Sequence, residues 1–117
     1  MRTRVLIVDD HDDFRASASA LLETEGFTVV GGLADGAAAV DAVKRLRPHI
    51  VLLDIQLPGL DGFAVAERLA AMTDPPRVVL ISSRDAASYG GRVGAASACG
   101  FLAKRELSGA SLTALVE

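Results

Sequence analysis

The feature that most constrains this chain is a set of short, nearly unbroken aliphatic runs set between longer segments rich in alanine and leucine. Residues 5–8 read Val-Leu-Ile-Val, residues 50–53 Ile-Val-Leu-Leu, and residues 78–81 Val-Val-Leu-Ile. A strand with one wet face alternates polar and apolar side chains. A strand without that alternation is one covered on both faces. Two further runs, 28–32 and 101–104, bring the predicted strands to five, with the third extended to residue 54 and the fourth to residue 82.

The intervening segments carry helical spacing. Residues 13–25 place Phe14, Ala18, Leu21 and Leu22 on one face, and Gly26 supplies a stop. Residues 35–46 repeat Ala38, Val40, Val43 and Leu46, with Pro48 beyond. Residues 63–72 carry Val65, Ala66, Leu69 and Met72 before Pro75-Pro76, and residues 108–117 open on a serine suited to an N-cap. Residues 85–99 are the weakest helix, because they hold Gly90, Gly91 and Gly94. An interior glycine costs about 1 kcal/mol relative to alanine. The expectation there is a short, irregular or mobile helix.

Strand–helix alternation implies an α/β fold: a parallel sheet, right-handed crossovers and helices on both faces. The 117 residues make one domain, 1–117, without a repeat or a linker. No cap follows the last helix, which fits a chain that ends there or a piece of a longer protein.

Charge narrows the function. The net charge is −3 with 23% charged residues, which argues against nucleic-acid binding by this domain itself. Cys99 is the only cysteine, so no intrachain disulfide framework exists and the cytoplasm is the expected compartment. No apolar run approaches the roughly 20 residues that span a bilayer.

The acids sit at strand ends. The first strand finishes in Asp9-Asp10, the third in Asp54, the fourth in Ser82-Ser83 and the fifth in Lys104. Ligands of open α/β sheets bind outside the carboxyl ends of the strands, so these groups are expected in one crevice. Crowded carboxylates raise one another's pKa unless a cation lies among them. Mg²⁺ suits such oxygen donors, keeps several waters and takes phosphate oxygens readily. His11 raises the question of a softer metal, although a lone histidine beside acids is more often a loop residue. A carboxylate is also a competent nucleophile toward phosphorus, giving an aspartyl-phosphate. Neutralising the transferring oxygens is then the main catalytic task, open to the metal, Lys104 and the Ser82 hydroxyl.

With these residues in view, the sequence resembles the receiver domain of bacterial two-component response regulators. The resemblance covers essentially the whole chain. It rests on Val5-Leu6-Ile7-Val8-Asp9-Asp10-His11, on Leu53-Asp54-Ile55-Gln56-Leu57-Pro58-Gly59-Leu60-Asp61-Gly62, on Leu80-Ile81-Ser82-Ser83 and on Gly100-Phe101-Leu102-Ala103-Lys104. It implies a doubly wound, flavodoxin-like sheet in the order 2-1-3-4-5. It implies Asp54 as phosphoacceptor, Asp10 as a direct Mg²⁺ ligand and Asp9 as one acting through a metal-bound water. The Gln56 backbone carbonyl is implied as a further ligand, and Mn²⁺ as a substitute metal. Lys104 is implied as the phosphate-binding lysine, Ser82 as the switch hydroxyl and Phe101 as the switch aromatic. The family's phosphoryl donor is a sensor histidine kinase, and the acyl phosphate is later hydrolysed by the receiver itself. The receiver is therefore not an enzyme in the usual sense, only a self-directed one. Homodimerisation on phosphorylation and a C-terminal DNA-binding domain outside this sequence are further family expectations, with transcription regulation as the output.

Several positions depart from the family pattern. Ser83 stands where a small residue such as alanine is usual, so Ser82 and Ser83 could exchange roles; the spacing to Lys104 favours Ser82. Arg105 replaces the proline that often follows the lysine in a cis bond, and a trans bond is expected. Gln56 and Arg84 flank the phosphorylation site at variable positions, and Arg84 is either a solvated loop residue or one that reaches the phosphoryl oxygens. Two other readings stand beside the signalling receiver: a non-phosphorylated interaction module of the same fold, and a metal-dependent phosphohydrolase. The full acid, hydroxyl and lysine set disfavours the first. The lack of length for a substrate-binding cap disfavours the second, as does the position of Asp9-Asp10 a whole strand and helix before the nucleophile.

Overall fold

A computed structural model describes residues 2–117. Five parallel strands, β1 (Arg4–Val8), β2 (Thr28–Leu33), β3 (Ile50–Asp54), β4 (Arg77–Ser82) and β5 (Gly100–Ala103), form one sheet in the order β2-β1-β3-β4-β5. The expected doubly wound sheet and its order are therefore present.

The aliphatic runs at positions 5–8 and 50–53 lie in the middle of the sheet and are buried throughout. Their side chains divide by alternation. Val5, Ile7, Ile50, Leu52, Val79 and Ile81 face α1 (Asp12–Thr24) and α5 (Gly109–Val116). Leu6, Val8, Val51, Leu53, Val78 and Leu80 face the opposite layer, built by α2 (Ala39–Leu46), α3 (Gly62–Ala70) and α4 (Arg92–Ala95). Burying each such side chain contributes roughly 1.5–3 kcal/mol, so the two layers fix the sheet from both sides.

The helices start where local chemistry permits. Asp61 caps α3, accepting from the Ala64 N–H at 2.9 Å, and Ser108 caps α5, accepting from the Ser111 N–H at 2.9 Å. Helix α2 begins at Ala39 rather than at residue 35 as the spacing predicts. There the Asp35 carboxylate accepts from the Ala37 N–H at 3.0 Å, which favours a turn over a first helical coil.

Between β4 and β5 the chain is irregular, as its glycines lead one to expect. A 3-10 turn at Ala86–Tyr89 is followed by Gly90 at φ +59° and then by the four residues of α4. Strand β5 stops at Ala103, one residue short of the expected end, because Lys104–Glu106 form a further 3-10 turn. The Glu106 carboxylate folds back to accept from the Ala103 N–H at 3.2 Å. No peptide bond among the described residues is cis, so Lys104-Arg105 is trans as expected.

Candidate functional site

Strand ends deliver the site. Asp9 follows β1, Asp54 ends β3, Ser82 ends β4 and Lys104 follows β5. Register aligns them: Leu53 pairs with Val8 and Leu80, Asp54 with Ile81, and Ser82 with Ala103. Asp9, Asp54 and Ser82 are the buried polar and charged residues of the described chain, at 0%, 2% and 0% exposure. All three stand at the carboxyl edge of the sheet.

Asp54 is held from two sides. One carboxylate oxygen accepts from the Gln56 N–H at 3.1 Å, and the other accepts from Lys104 Nζ at 3.4 Å. Burial pushes its pKa above the usual carboxylate range; the Gln56 N–H opposes this, neighbouring Asp9 adds to the rise, and Lys104 pulls it back.

Asp9 is more constrained still. One oxygen accepts from the His11 N–H at 2.8 Å. The other has Lys104 Nζ 2.5 Å away, but out of line for a hydrogen bond, and accepts none although wholly buried. Its backbone carbonyl accepts from Arg15 at 2.6 Å, which fixes the turn between β1 and α1. The Lys104 ammonium also stands 4.6 Å above the centre of the Phe14 ring.

Asp10 projects from the exposed rim. His11 Nδ1 lies 3.2 Å from its carboxylate and 3.1 Å from that of Asp9. One ligand atom from each of Asp9, Asp10, His11 and Asp54 falls within 4.8 Å of the others. A buried carboxylate oxygen without a hydrogen bond, among acids this close, fits a hard divalent cation. The predicted acids, Lys104 and the loop of Gln56 are thus brought together.

Ser82 and Ser83 are separated cleanly. Ser82 is buried, whereas Ser83 is exposed. The Ser82 hydroxyl accepts from the Arg84 N–H at 3.0 Å, and its remaining partner is the Tyr89 hydroxyl at 2.5 Å. Phe101 is half-buried on β5 opposite Leu80, against the α2–α4 layer. Arg84 is exposed. Three contacts lay outside the sequence reading: Tyr89 on Ser82, Arg15 on Asp9, and Phe14 under Lys104. Tyr89 is the only tyrosine of the chain and stands in its most glycine-rich stretch, which is the one signal that could have marked it.

Gly62 shapes the floor of the site. A Cβ there would fall 2.3 Å from the Asp54 carbonyl oxygen and 2.7 Å from the Ile55 Cα. Only glycine lets the first turn of α3 lie this close to the backbone that carries Asp54.

The response regulator receiver domain family model matches residues 5–117. BvgA of Bordetella pertussis, a positive transcription regulator of virulence factors by its name, is 35% identical over 106 residues; the match covers 91% of this chain and 51% of that protein. The DNA-binding response regulator MtrA of Mycolicibacterium smegmatis is 43% identical over 86 residues, covering 73% of this chain and 37% of that protein. The chain thus spans about half the length of BvgA and less of MtrA. Among solved structures, the signal receiver domain of NarL from Mycobacterium tuberculosis superposes with a TM-score of 0.84 at 35% identity, over 97% of this chain and 96% of that one.

Proposed function

Because the chain belongs to the response-regulator receiver family of two-component systems, we propose that Asp54 accepts a phosphoryl group from a sensor histidine kinase and that the resulting aspartyl-phosphate switches the domain. The observation that carries this reading is a buried carboxylate at a strand end with an ammonium 3.4 Å away and a second buried carboxylate at that ammonium. In transfer, an Asp54 oxygen forms the new P–O bond as the P–N bond of a phosphohistidine breaks, and the electron pair leaves with the imidazole. Lys104 is positioned to meet a phosphoryl oxygen. Asp9, Asp10, Asp54 and the Gln56 carbonyl would hold Mg²⁺, or Mn²⁺ in its place, and that ion would supply charge neutralisation at the phosphoryl oxygens. His11 adjoins the same carboxylates and holds Asp9 by its backbone N–H.

Hydrolysis of the acyl phosphate returns Asp54 and inorganic phosphate, so the chemistry is self-directed rather than that of a turnover enzyme. Ser82 and Phe101 are the switch pair in this reading, and the face of α4, β5 and α5 carries the output, including dimerisation. The regulator names among the relatives favour transcription control. DNA binding would then belong to a segment outside this sequence, and cytoplasmic placement follows from the kinase partner. No described helix is long and apolar enough to cross a membrane.

Incubation with acetyl phosphate and Mg²⁺ tests the proposal. One added phosphate mass that is absent in Asp54→Asn is the expected result. Release of many phosphates per protein from an ordinary phosphate monoester such as p-nitrophenyl phosphate would indicate a hydrolase, and no modification by acetyl phosphate would indicate a pseudo-receiver; either overturns the reading.

A further inference from the structure

The switch hydroxyl is already engaged. Ser82 Oγ lies 2.5 Å from Tyr89 Oη and accepts from the Arg84 N–H at 3.0 Å. A serine hydroxyl has one proton and two acceptor sites. If Ser82 donates to Tyr89, its proton is used. If Tyr89 donates, both acceptor sites of Ser82 are filled. A phosphoryl oxygen on Asp54 is an acceptor, so Ser82 can donate to it only by giving up the tyrosine when Ser82 is the donor of this pair; when Tyr89 donates, the Ser82 proton stays free.

Tyr89 is held in place by packing as well. Its ring meets Phe63 edge-on at a centroid distance of 5.9 Å, and Phe63 is buried at the start of α3. The Arg92 guanidinium lies over the same Phe63 ring, 4.2 Å from its centroid, and 3.4 Å from the carboxylate of Asp61, the α3 cap. Tyr89 and Phe101 pack against one apolar layer. Directly after Tyr89 come Gly90, at φ +59°, and Gly91, neither with an atom within 4 Å of where a Cβ would stand. The segment therefore has an anchor at Tyr89 and a pivot immediately beyond it.

We infer that Tyr89 is a positioning residue for the phosphoryl switch: its hydroxyl accepts the Ser82 proton and so latches Ser82 in the unphosphorylated domain, and phosphorylation of Asp54 exchanges this acceptor for a phosphoryl oxygen and frees the 86–95 segment. The inference rests on the phosphoacceptor role of Asp54. It adds that the hydroxyl contact competes with the phosphoryl group, so that the latch restrains activation and its release is transmitted through the glycine pivot rather than through Phe101 alone. The exchange balances: one hydroxyl–hydroxyl bond is lost, a hydroxyl–phosphoryl bond forms, and Tyr89 Oη turns to water.

The chain contains one tyrosine and no tryptophan, so its ultraviolet emission reports Tyr89 alone. The first experiment needs no phosphate. Acrylamide quenching of tyrosine emission is compared in wild type and Ser82→Ala. A clear rise in quenching, about twofold for a half-buried ring released to water, is expected, because the ring loses its tether. The second uses acetyl phosphate and Mg²⁺ with wild type, Tyr89→Phe, Ser82→Ala and the double variant, read by intact mass. Tyr89→Phe keeps the ring and removes the hydroxyl. It should speed Asp54 phosphorylation about fivefold, the worth of one neutral hydrogen bond. In the Ser82→Ala background the same substitution should change nothing, which a merely structural ring would not do. Hydrogen exchange of residues 86–95 should rise on phosphorylation of wild type. Unchanged quenching, or equal rates for wild type and Tyr89→Phe in a chain that does take phosphate, would overturn the latch alone. A wild type that takes no phosphate would overturn the functional reading and the exchange together, with quenching still deciding whether the two hydroxyls are coupled.

Discussion

Alanine at position 62 should move Asp54 without touching any polar side chain. The added Cβ would stand 2.3 Å from the Asp54 carbonyl oxygen, 2.7 Å from the Ile55 Cα and 2.9 Å from the Asp54 carbonyl carbon. Real Cβ atoms essentially never come nearer than 3.0 Å, so the gap between α3 and the end of β3 must open by at least about 0.7 Å. Each clashing atom belongs to backbone, which cannot swing aside as a side chain would. Overpacking of this kind destabilises by about 1–3 kcal/mol. The lower chain entropy of alanine in the unfolded state returns about 0.4–1 kcal/mol, leaving a net loss on the order of 1 kcal/mol or more. The larger effect falls on chemistry. A misplacement near 1 Å lowers a positioned reaction about a hundredfold, so phosphorylation of Gly62→Ala by acetyl phosphate should slow roughly ten- to a hundredfold. Urea unfolding followed by circular dichroism measures the first quantity, and intact-mass kinetics measure the second. Gly91→Ala is the stability control, because nothing lies within 4 Å of its added Cβ and its φ is not positive. Wild-type stability together with a wild-type phosphorylation rate in Gly62→Ala would refute the close-approach argument.

Asp54→Asn should stabilise the metal-free protein at neutral pH. Burial raises the Asp54 pKa on folding, so the folded state binds its proton more tightly than the unfolded state does. Ionised Asp54 therefore opposes folding in full above its folded pKa, and the penalty fades as pH falls from there to below the ordinary carboxylate value; thermal melts of both proteins should converge in acid, and a gap that widens there would contradict the assignment. Lys104→Met leaves two buried carboxylates without their cation and should destabilise by about 3 kcal/mol, with Mg²⁺ recovering part of the loss. An unchanged unfolding midpoint in chelator would show that Lys104 does not balance Asp9. Arg84→Ala should change the lifetime of the aspartyl-phosphate by a few-fold, read as phosphate loss after donor removal, since this exposed residue stands two positions after Ser82 and its backbone N–H bonds the Ser82 hydroxyl. An identical lifetime returns Arg84 to the role of a solvated loop residue.

What could be read from the residues depended on whether position along the chain carried the information. The aliphatic runs of β1, β3 and β4 were legible because double coverage leaves no polar alternate, and their order of appearance fixed where the acids would stand. Asp9, Asp54 and Lys104 converge because register in a parallel sheet aligns strand ends. The missed features depend on individual side-chain contacts, local or remote, that leave no periodic trace. The late start of α2 accompanies Gly36, whose Cβ would meet a Val65 side-chain atom at 2.4 Å, and nothing in residues 35–38 announces that neighbour. Lys104 lies past the end of β5 rather than in it, because Glu106 takes the Ala103 N–H, a choice made by a side chain beyond the strand. Tyr89 was invisible for a related reason: a hydroxyl seven residues from its partner on an irregular stretch has no periodicity to betray it.

The electrostatics of the site would let one small covalent change on Asp54 act beyond it. Asp9, Asp10 and Asp54 contribute three negative charges when ionised, and Lys104 is the only ammonium among them. The site is therefore short of positive charge, and the buried Asp9 oxygen that accepts no hydrogen bond is balanced only by the Lys104 ammonium 2.5 Å away. A dication would cancel the shortage. A phosphoryl group on Asp54 would then add about −1.5 to −2 and three acceptor oxygens, restoring the shortage in a new place. With Lys104 already shared between two carboxylates, the nearest uncommitted demand falls on neutral donors at the strand ends. Ser82 is the buried hydroxyl there, and its present partner is Tyr89. A site balanced by a metal alone could be filled and emptied without moving the chain around it. One whose last acceptor must recruit a hydroxyl held by another segment cannot, and that difference separates a metal-binding crevice from a switch.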